Sequence, residues 1–177
     1  MNEIAILGAG CFWCVEAIYD SLNGVHKVEP GYIGGELPEP SYKEVCNGTT
    51  GHAEVIKIEF NPAVISYEEL LEVFWAVHDP TTLNRQGADV GTQYRSAIFY
   101  TSESQKNAAE SSLKTENESG EYTGALVTEI TEASTFWVAE NYHHDYLQHN
   151  PENPYCKAVV SPKFEKFKHK FADKLKR

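Results

Sequence analysis

The sequence predicts an α+β fold, a two-layer α/β sandwich in which helices pack on a mixed, mostly antiparallel sheet. Helical and extended patterns alternate along the chain without repeats or low-complexity tracts, which is typical of this class. The 177 residues are enough for one substantial hydrophobic core. We therefore predict a single domain over residues 1–177, with an extended C-terminal segment over about residues 138–177.

The first predicted strand is the apolar run Glu3–Leu7, which a tight turn follows at Gly8–Gly10. Apolar residues then recur at helical spacing, at Val15, Ile18, Tyr19 and Leu22. Cys11 therefore falls at or near a helix N-terminus, where free N–H groups and the helix dipole stabilise an anion and lower the pKa of a thiol. The alternative is that Cys11 is a small buried hydrophobic residue.

The middle of the chain supplies the remaining strands and helices. Extended patterns occur at Val25–Ile33, Val55–Phe60, Ser96–Tyr100 and Ala125–Thr131. The patterns Ser66-x-x-Glu69 and Ser102-x-x-Gln105 predict the starts of two helices. Residues His78–Tyr94 are predicted to form a long polar loop.

The end of the chain is locally basic, although the formal net charge is -11. An aromatic and apolar stripe indicates an amphipathic helix with a lysine-rich face, its members being Phe164, Phe167, Phe171 and Leu175. The acidic balance argues against a nucleic-acid partner. Since no apolar run has membrane-spanning length and the first residues show no signal-peptide pattern, we expect a cytoplasmic protein without a membrane partner.

The cysteines favour thiol redox chemistry. Cys11 and Cys14 form a C-x-x-C pattern, which is typical of redox or metal sites. Cys46 and Cys156 stand alone, so a second metal-binding pair is absent from the sequence. The spacing of four histidines matches no familiar ligand set, and we expect structural or hydrogen-bonding roles for His52, His78, His143 and His144.

Glu54 is the candidate general acid. Ile56, Ile58 and Phe60 share one face of the predicted strand, and Glu54 falls in register with them. Burial there would disfavour the charged carboxylate and raise its pKa, which keeps a proton available for donation near neutral pH. The alternative is a carboxylate that turns out to water at the end of the strand.

Four aromatic residues complete the candidate site. Phe12 and Trp13 follow Cys11 directly, and they either line an apolar pocket or pack in the core. Tyr42 and Tyr94 lie in predicted loops, where their phenol groups can hold a polar oxygen of a substrate. Surface or packing roles remain the alternatives for both tyrosines.

Several blocks of this sequence resemble, in order, those of the peptide methionine sulfoxide reductase A family. They run from about Ile4 to Cys156 and comprise Gly10–Trp13, Gly31–Gly35, Pro40–Cys46, Gly51–Glu54, Phe74-Trp75, His78–Pro80, Arg85–Gly87, Asp89, Gly91–Ser96, Ala139-Glu140, His143 and Asn150-Pro151. The resemblance implies a ferredoxin-like core and a monomeric enzyme without a bound metal or cofactor. It also implies reduction of the S epimer of methionine sulfoxide, free or in oxidised proteins that are thereby repaired.

The resemblance further implies a role for each site residue. Cys11 would attack the sulfoxide sulfur, while Glu54 protonates the oxygen. The supporting residues would be Tyr42 and Tyr94 on the oxygen, Asp89 behind the pocket, and Phe12 and Trp13 around the S-methyl group. Cys11 would be left as a sulfenic acid, which condenses with a second thiol to a disulfide. Thioredoxin, or dithiothreitol in vitro, would then reduce that disulfide.

The identity of the second thiol differs from the commonest pattern of the family. Cys156 matches the resolving cysteine on the family's mobile C-terminal segment, and we expect it to resolve the sulfenic acid. Many members have glycine where this chain has Cys14, which is interpreted as a second relay thiol or a spectator. Since Cys11 and Cys14 are one helical turn apart, a local disulfide is geometrically conceivable. Cys46 matches a position that is usually structural.

Two other functional classes stay open at this stage. A thioredoxin-like thiol–disulfide oxidoreductase would also place C-x-x-C at a helix N-terminus. It would have no need of Glu54, Tyr42 and Tyr94, and it would reduce insulin disulfides. A non-catalytic protein that binds oxidised peptides would retain the aromatic pocket but release no methionine.

Overall fold

The computed structural model describes residues 2–176, so Met1 and Arg177, the two ends of the predicted domain, lie outside the described residues. The strands are β1 (Glu3–Ala9), β2 (Val25–Ile33), β3 (Ala53–Phe60), β4 (Arg85–Gln86), β5 (Asp89–Val90), β6 (Ser96–Tyr100), β7 (Glu129–Glu132) and β8 (Trp137–Val138). The α-helices are α1 (Phe12–Asp20), α2 (Tyr42–Cys46), α3 (Tyr67–Val77), α4 (Glu103–Glu118), α5 (Tyr146–His149) and α6 (Ser161–Lys170).

Six of these strands form one sheet in the order β7-β6-β1-β3-β2-β8. Every pairing in it is antiparallel except the parallel pair of β6 and β7. The inner order β6-β1-β3-β2, with α1 after β1 and α3 after β3, is that of a ferredoxin-like core. The predicted α+β class and the mixed, mostly antiparallel sheet are therefore confirmed.

The register of β1 and β3 decides which side chains form the core. Leu7 pairs with Ile56, and Ala5 pairs with Ile58, so these four apolar residues join one fully buried face with helix α1. The alternation predicted along β3 is confirmed, because Val55 belongs to a second cluster on the other face. Both faces of the sheet are therefore covered near the C-terminal end of β1.

Two predicted helix starts are confirmed by their N-caps. The Ser66 hydroxyl accepts a hydrogen bond from the Glu69 N–H at 3.1 Å, and Glu69 bonds back to the Ser66 N–H. The Ser102 hydroxyl accepts from the Gln105 N–H at 3.2 Å. Both bonds satisfy N–H groups that have no partner inside the helix.

The predicted loop over His78–Tyr94 is wrong in part, because it contains the β4–β5 hairpin and a 3₁₀ turn at Thr92–Tyr94. Two-residue strands are too short to show a periodic pattern in the sequence. The strand predicted at Ala125–Thr131 begins only at Glu129, where it pairs with Ala97 at the start of β6. Earlier in that segment, Val127 donates its N–H to the Pro80 carbonyl instead.

The basic terminal helix is shorter than its apolar stripe predicts. Helix α6 ends at Lys170, and Phe171 leaves helical geometry with a ψ of 33°. Leu175 then lies on extended backbone and forms a bridge with Leu22, next to α1. None of the helices in the part of the chain that the structure describes is long and apolar enough to cross a membrane.

Candidate active site

Cys11 is the N-cap residue of α1, immediately after the turn that ends β1. The turn requires glycine at position 10, where φ is +94° and a Cβ would lie 2.8 Å from Cγ of Gln86. The half-buried Cys11 side chain makes no capping bond to the helix. The thiol therefore lies at the N-terminus of the helix, and no capping bond holds its sulfur there.

Glu54 lies beside this helix terminus and is fully buried, so the alternative of a carboxylate turned to water is excluded. Its Oε1 accepts a hydrogen bond at 3.2 Å from the N–H of Phe12, the residue after Cys11. Its Oε2 is buried without a partner among the described residues. Burial, followed by negative charge at Cys11 and Asp89, raises the pKa of Glu54 well above its usual range. Burial therefore favours the protonated form of this carboxyl group.

The two thiols of the C-x-x-C pattern interact with each other. This interaction with Cys14, together with burial, raises the pKa of Cys11 well above its usual value. The same interaction and the nearby Lys163 lower the pKa of Cys14. The expectation that the helix N-terminus lowers the pKa of Cys11 is therefore wrong for this resting state, because the second thiol and desolvation outweigh the helix dipole.

Tyr42 and Tyr94 reach the same site from separate elements. Tyr42 opens α2, and its N–H donates to Oε2 of Glu140 at 2.9 Å. Tyr94 ends the 3₁₀ turn after β5. Burial and then the charge of Glu54 raise the pKa of both phenols, so both are neutral hydrogen-bond donors close to that carboxyl group.

Asp89 lies on β5, where its carboxylate accepts a hydrogen bond from the Tyr155 hydroxyl. The two residues line a cavity of about 120 Å³ together with Cys11, Cys14 and Lys163. No pattern in the sequence assigns Tyr155 to this site. Its bond to Asp89 joins the hairpin to the C-terminal segment beside the nucleophile.

Phe12 and Trp13 occupy different environments. Phe12 is fully buried, with its ring centroid 5.0 Å from that of His143 and 5.7 Å from that of Tyr32. Trp13 is partly exposed and stacks on Tyr146 with a centroid distance of 3.8 Å and an interplanar angle of 6°. The rings of Phe12 and Trp13, with their neighbours Tyr32, His143 and Tyr146, form an apolar wall next to Cys11.

Glu140 and His143 hold this wall in place, and sequence reasoning assigned neither of them to it. Glu140 accepts from the Tyr32 hydroxyl and from the Tyr42 N–H, each at 2.9 Å. Nδ1 of His143 accepts from the indole N–H of Trp13 at 2.9 Å, and burial lowers the pKa of His143 to about 4. The only sequence signal for either residue was its position in a matching block.

The predicted hydrogen-bonding roles of the other histidines are also observed. Ring nitrogens contact protein oxygen atoms in His52, His78 and His144. Within residues 2–176, no three side chains of His, Cys, Asp or Glu are grouped so that they could hold a metal ion.

The remaining cysteines lie at two different depths. Cys156 is fully buried at the start of a π-helical turn, Cys156–Val160, that runs into α6. Burial and, to a smaller extent, the charge of Cys11 raise its pKa. Cys46 is exposed at the end of α2, the helix that Tyr42 begins. All four cysteines are free thiols.

The arrangement therefore combines a thiol nucleophile with a protonated carboxyl group and two phenol donors. Such a set suits attack on an atom that carries a polar oxygen, because the acid can protonate that oxygen as it leaves. The apolar wall suits a small non-polar substituent on the same atom.

Comparisons with known proteins point to one family. The sequence profile of the family described as "Peptide methionine sulfoxide reductase" matches residues 3–175. The curated protein named peptide methionine sulfoxide reductase MsrA from Saccharolobus solfataricus is 52% identical over 175 residues, which cover 98% of this chain and 97% of the relative.

Solved structures show the same likeness. Methionine sulfoxide reductase A of Corynebacterium diphtheriae has a TM-score of 0.81 at 33% identity, over 85% of this chain and 76% of that one. Mxr1 from Saccharomyces cerevisiae in reduced form has a TM-score of 0.77 at 36% identity, over 86% of this chain and 87% of that one. Mxr1 has also been solved in complex with Trx2 (TM-score 0.54, 24% identity, over 82% of this chain and 84% of that one). With the family profile spanning nearly all residues and relatives at about half identity, this chain belongs to the peptide methionine sulfoxide reductase A family.

Proposed function

We propose that this protein reduces the S epimer of methionine sulfoxide, free or within oxidised proteins, through a sulfenic acid on Cys11. Reduction of methionine sulfoxide is the activity of its family, and repair of oxidised proteins is the role that follows from it. The observation that carries the proposed chemistry is the buried Glu54, hydrogen-bonded to the backbone N–H next to Cys11.

The first step transfers one oxygen atom. The sulfur of Cys11 attacks the sulfoxide sulfur, and the Glu54 carboxyl group donates its proton to the sulfoxide oxygen. That oxygen moves to Cys11 and leaves methionine as the thioether product. The thiol proton of Cys11 restores the acid form of Glu54, so one thiol and one sulfoxide become one sulfenic acid and one thioether.

The Tyr42 and Tyr94 phenols donate hydrogen bonds to the sulfoxide oxygen in this proposal. Both are neutral donors near Glu54, and hydrogen bonds strengthen as negative charge develops on that oxygen. Asp89 supports the pocket through its bond to Tyr155. Removing either phenol should therefore slow the oxygen-transfer step more than it weakens binding.

Selectivity for one epimer follows from fixing three positions around the sulfur. Cys11 approaches on one side, Glu54 and the phenols define the position of oxygen, and Phe12 with Trp13 take the methyl group. The opposite epimer would exchange the methyl group with the rest of the methionine side chain, which does not fit the apolar wall. That the accepted epimer is S follows from the resemblance to the family.

Cys14 is the best-placed thiol to resolve the sulfenic acid. It lies one helical turn from Cys11 on α1 and interacts with that thiol, and Lys163 favours its thiolate. The proposed order therefore places Cys14 before Cys156, whereas the sequence predicts Cys156 as the first resolving thiol. We propose a Cys11–Cys14 disulfide with loss of water, followed by exchange with the buried Cys156.

Thioredoxin is proposed as the reductant that returns the enzyme to its starting state. The complex of Mxr1 with Trx2 supports this partner for the family. Each cycle would consume one dithiol, which leaves as a disulfide, and dithiothreitol would replace it in vitro. We propose that the whole chain acts as one monomeric catalytic domain without a bound metal or cofactor.

The deciding experiment measures methionine release from peptides that contain either the S or the R sulfoxide epimer, with dithiothreitol as reductant. We expect turnover of the S epimer alone, and no turnover by Cys11→Ser. Absence of turnover by folded wild-type protein would contradict the proposal. Insulin reduction would then identify a thioredoxin-like oxidoreductase, and stoichiometric peptide binding would identify a binding protein.

A further inference from the structure

Glu16 is a buried carboxyl group that the proposed reaction does not use. It lies on α1, one helical turn after Trp13, and only 3% of its surface is exposed. No Lys, Arg or His side chain within residues 2–176 forms an ion pair with it. Acidic side chains are rarely buried without such a partner, so its place needs an explanation.

The contact that Glu16 makes joins the nucleophile helix to the C-terminal segment. Its Oε1 accepts a hydrogen bond at 2.9 Å from the N–H of Asp145. Asp145 has a left-handed backbone with φ of +55°, and its own side chain does not cap α5, the helix that follows. The Glu16 carboxyl group therefore satisfies one of the free N–H groups at the start of α5.

This bond fixes the backbone between two rings of the apolar wall. His143 lies two residues before Asp145 and accepts the indole N–H of Trp13. Tyr146 lies one residue after it and stacks on the Trp13 ring at 3.8 Å. Both contacts of Trp13 therefore depend on where the Asp145 turn is held.

We propose that Glu16 is a positioning residue that holds the Asp145 turn against α1 and thereby sets the Trp13 wall of the sulfoxide pocket. This inference rests on the proposed function only for the identity of the ligand that the pocket binds. The anchoring itself depends on the observed contacts of Glu16, Trp13, His143 and Tyr146.

Glu16 performs this role as a neutral group at neutral pH. Burial raises its pKa to about 8, and the neighbouring acids Asp145 and Asp20 add to this shift. The other side chains that line the adjoining cavity of about 250 Å³ are uncharged, namely Ala17, Ser21, Leu147, Gln148 and Phe164. Ionisation of Glu16 above about pH 8 would therefore add a third negative charge beside Asp20 and Asp145. The resulting repulsion would favour movement of the Asp145 turn away from α1 and into water.

The test compares the wild type with Glu16→Gln and Glu16→Ala, using kcat and KM for an S-sulfoxide peptide from about pH 6 to about pH 9.5. Near-UV circular dichroism reports the packing of Trp13, with Trp13→Phe to identify its band. Glu110→Gln is the control, because Glu110 is an exposed glutamate in the middle of α4.

At pH 7 we expect Glu16→Ala to raise KM about tenfold and to weaken the Trp13 band, because a buried N–H loses its acceptor. The single-turnover rate at saturation should change less. Glu16→Gln retains an acceptor oxygen, so it should keep the wild-type KM and band at pH 7. It should also remove the rise in KM that the wild type shows above about pH 8.

A Glu16→Ala protein that is folded and has wild-type KM and dichroism would overturn the proposal. So would a Glu16→Gln protein whose KM is already raised at pH 7. If Glu16→Ala does not fold, the Glu16→Gln profile alone decides between these outcomes. If the wild type shows no turnover, the proposed function fails, whereas the dichroism of the variants still tests the anchoring.

Discussion

The two halves of the site, the β1–α1–β3 core and the C-terminal segment after residue 138, are built in different ways. In the core, Cys11 and Glu54 take their places from a turn, a helix start and the alternation of one strand. In the segment, Glu140 and Tyr155 act through hydrogen bonds to residues far away in the chain. The core supplies the reacting groups together with Phe12 and Trp13, and the segment holds these two rings in place.

The largest effect on activity is expected from loss of the nucleophile, which belongs to the core half of the site. Cys11→Ser should reduce methionine release to background, because Cys11 is the thiol at the N-cap of α1, next to the N–H group that Glu54 binds. Single-turnover assays with the S epimer measure this directly. Cys46→Ser is the matched control, since Cys46 is exposed and outside the proposed chemistry, and it should retain most of the activity. Release of one methionine per enzyme by Cys11→Ser would show that the nucleophile lies elsewhere.

The next largest effect is expected for Glu54→Gln. The variant should lower the rate of oxygen transfer by about 10²–10⁴-fold, the usual contribution of a general acid. The wild-type rate should fall as the pH rises through the raised folded pKa of Glu54, and the variant should lack that falling limb. A stopped-flow pH profile tests both points, and an unchanged falling limb in the variant would rule out Glu54 as its source.

Glu54→Gln lowers the rate of oxygen transfer, but we expect it to raise the stability of the fold above neutral pH. Because Glu54 is buried in its neutral form, its folded pKa lies above its unfolded pKa, and wild-type stability falls as the pH rises between the two values. Glu54→Gln removes this loss. We expect the variant to melt at a higher temperature than the wild type at pH 8, and the difference to shrink toward pH 4.

A smaller difference is expected between cysteine variants of the two regions, in the step that resolves the sulfenic acid. Cys14→Ser and Cys156→Ser should each release one methionine per enzyme, because oxygen transfer needs only Cys11. We expect Cys156→Ser to accumulate a Cys11–Cys14 disulfide, and Cys14→Ser to retain the sulfenic acid longer than the wild type. Peptide mapping by mass spectrometry after one turnover tests this order. A Cys11–Cys156 disulfide formed at the wild-type rate in Cys14→Ser would contradict it.

The smallest effect is expected where the segment attaches to the sheet. A Cβ at Gly31 would lie 2.3 Å from the Phe136 ring and 2.5 Å from the Trp137 carbonyl oxygen. Gly31→Ala should therefore lower the free energy of unfolding by about 1–3 kcal/mol, with less effect on oxygen transfer. Urea denaturation measures the change. Gly124→Ala is a control for crowding, because its backbone is outside the left-handed region and a Cβ there would lie 3.9 Å from Cβ of Thr81, an ordinary van der Waals contact. Equal losses for both variants would mean that crowding is not the cause.

The same contrast explains what could be predicted from the sequence. The ferredoxin-like order, both helix caps and the burial of Glu54 follow local patterns of period or capping, or the resemblance to the family. The partners of Glu140, Asp89 and Glu16 are 98, 66 and 129 residues away, and no local pattern encodes such pairs. The raised pKa of Cys11 escaped prediction because it depends on the orientation of Cys14 and on desolvation.

The central claim is that Cys11 receives the sulfoxide oxygen. The most direct measurement is mass spectrometry of a Cys14→Ser/Cys156→Ser protein after one equivalent of S-sulfoxide peptide, with a sulfenic-acid probe such as dimedone present. We expect one adduct per enzyme, located on Cys11, formed together with one methionine. Methionine release without an adduct on Cys11, or an adduct on Cys46 instead, would contradict the account.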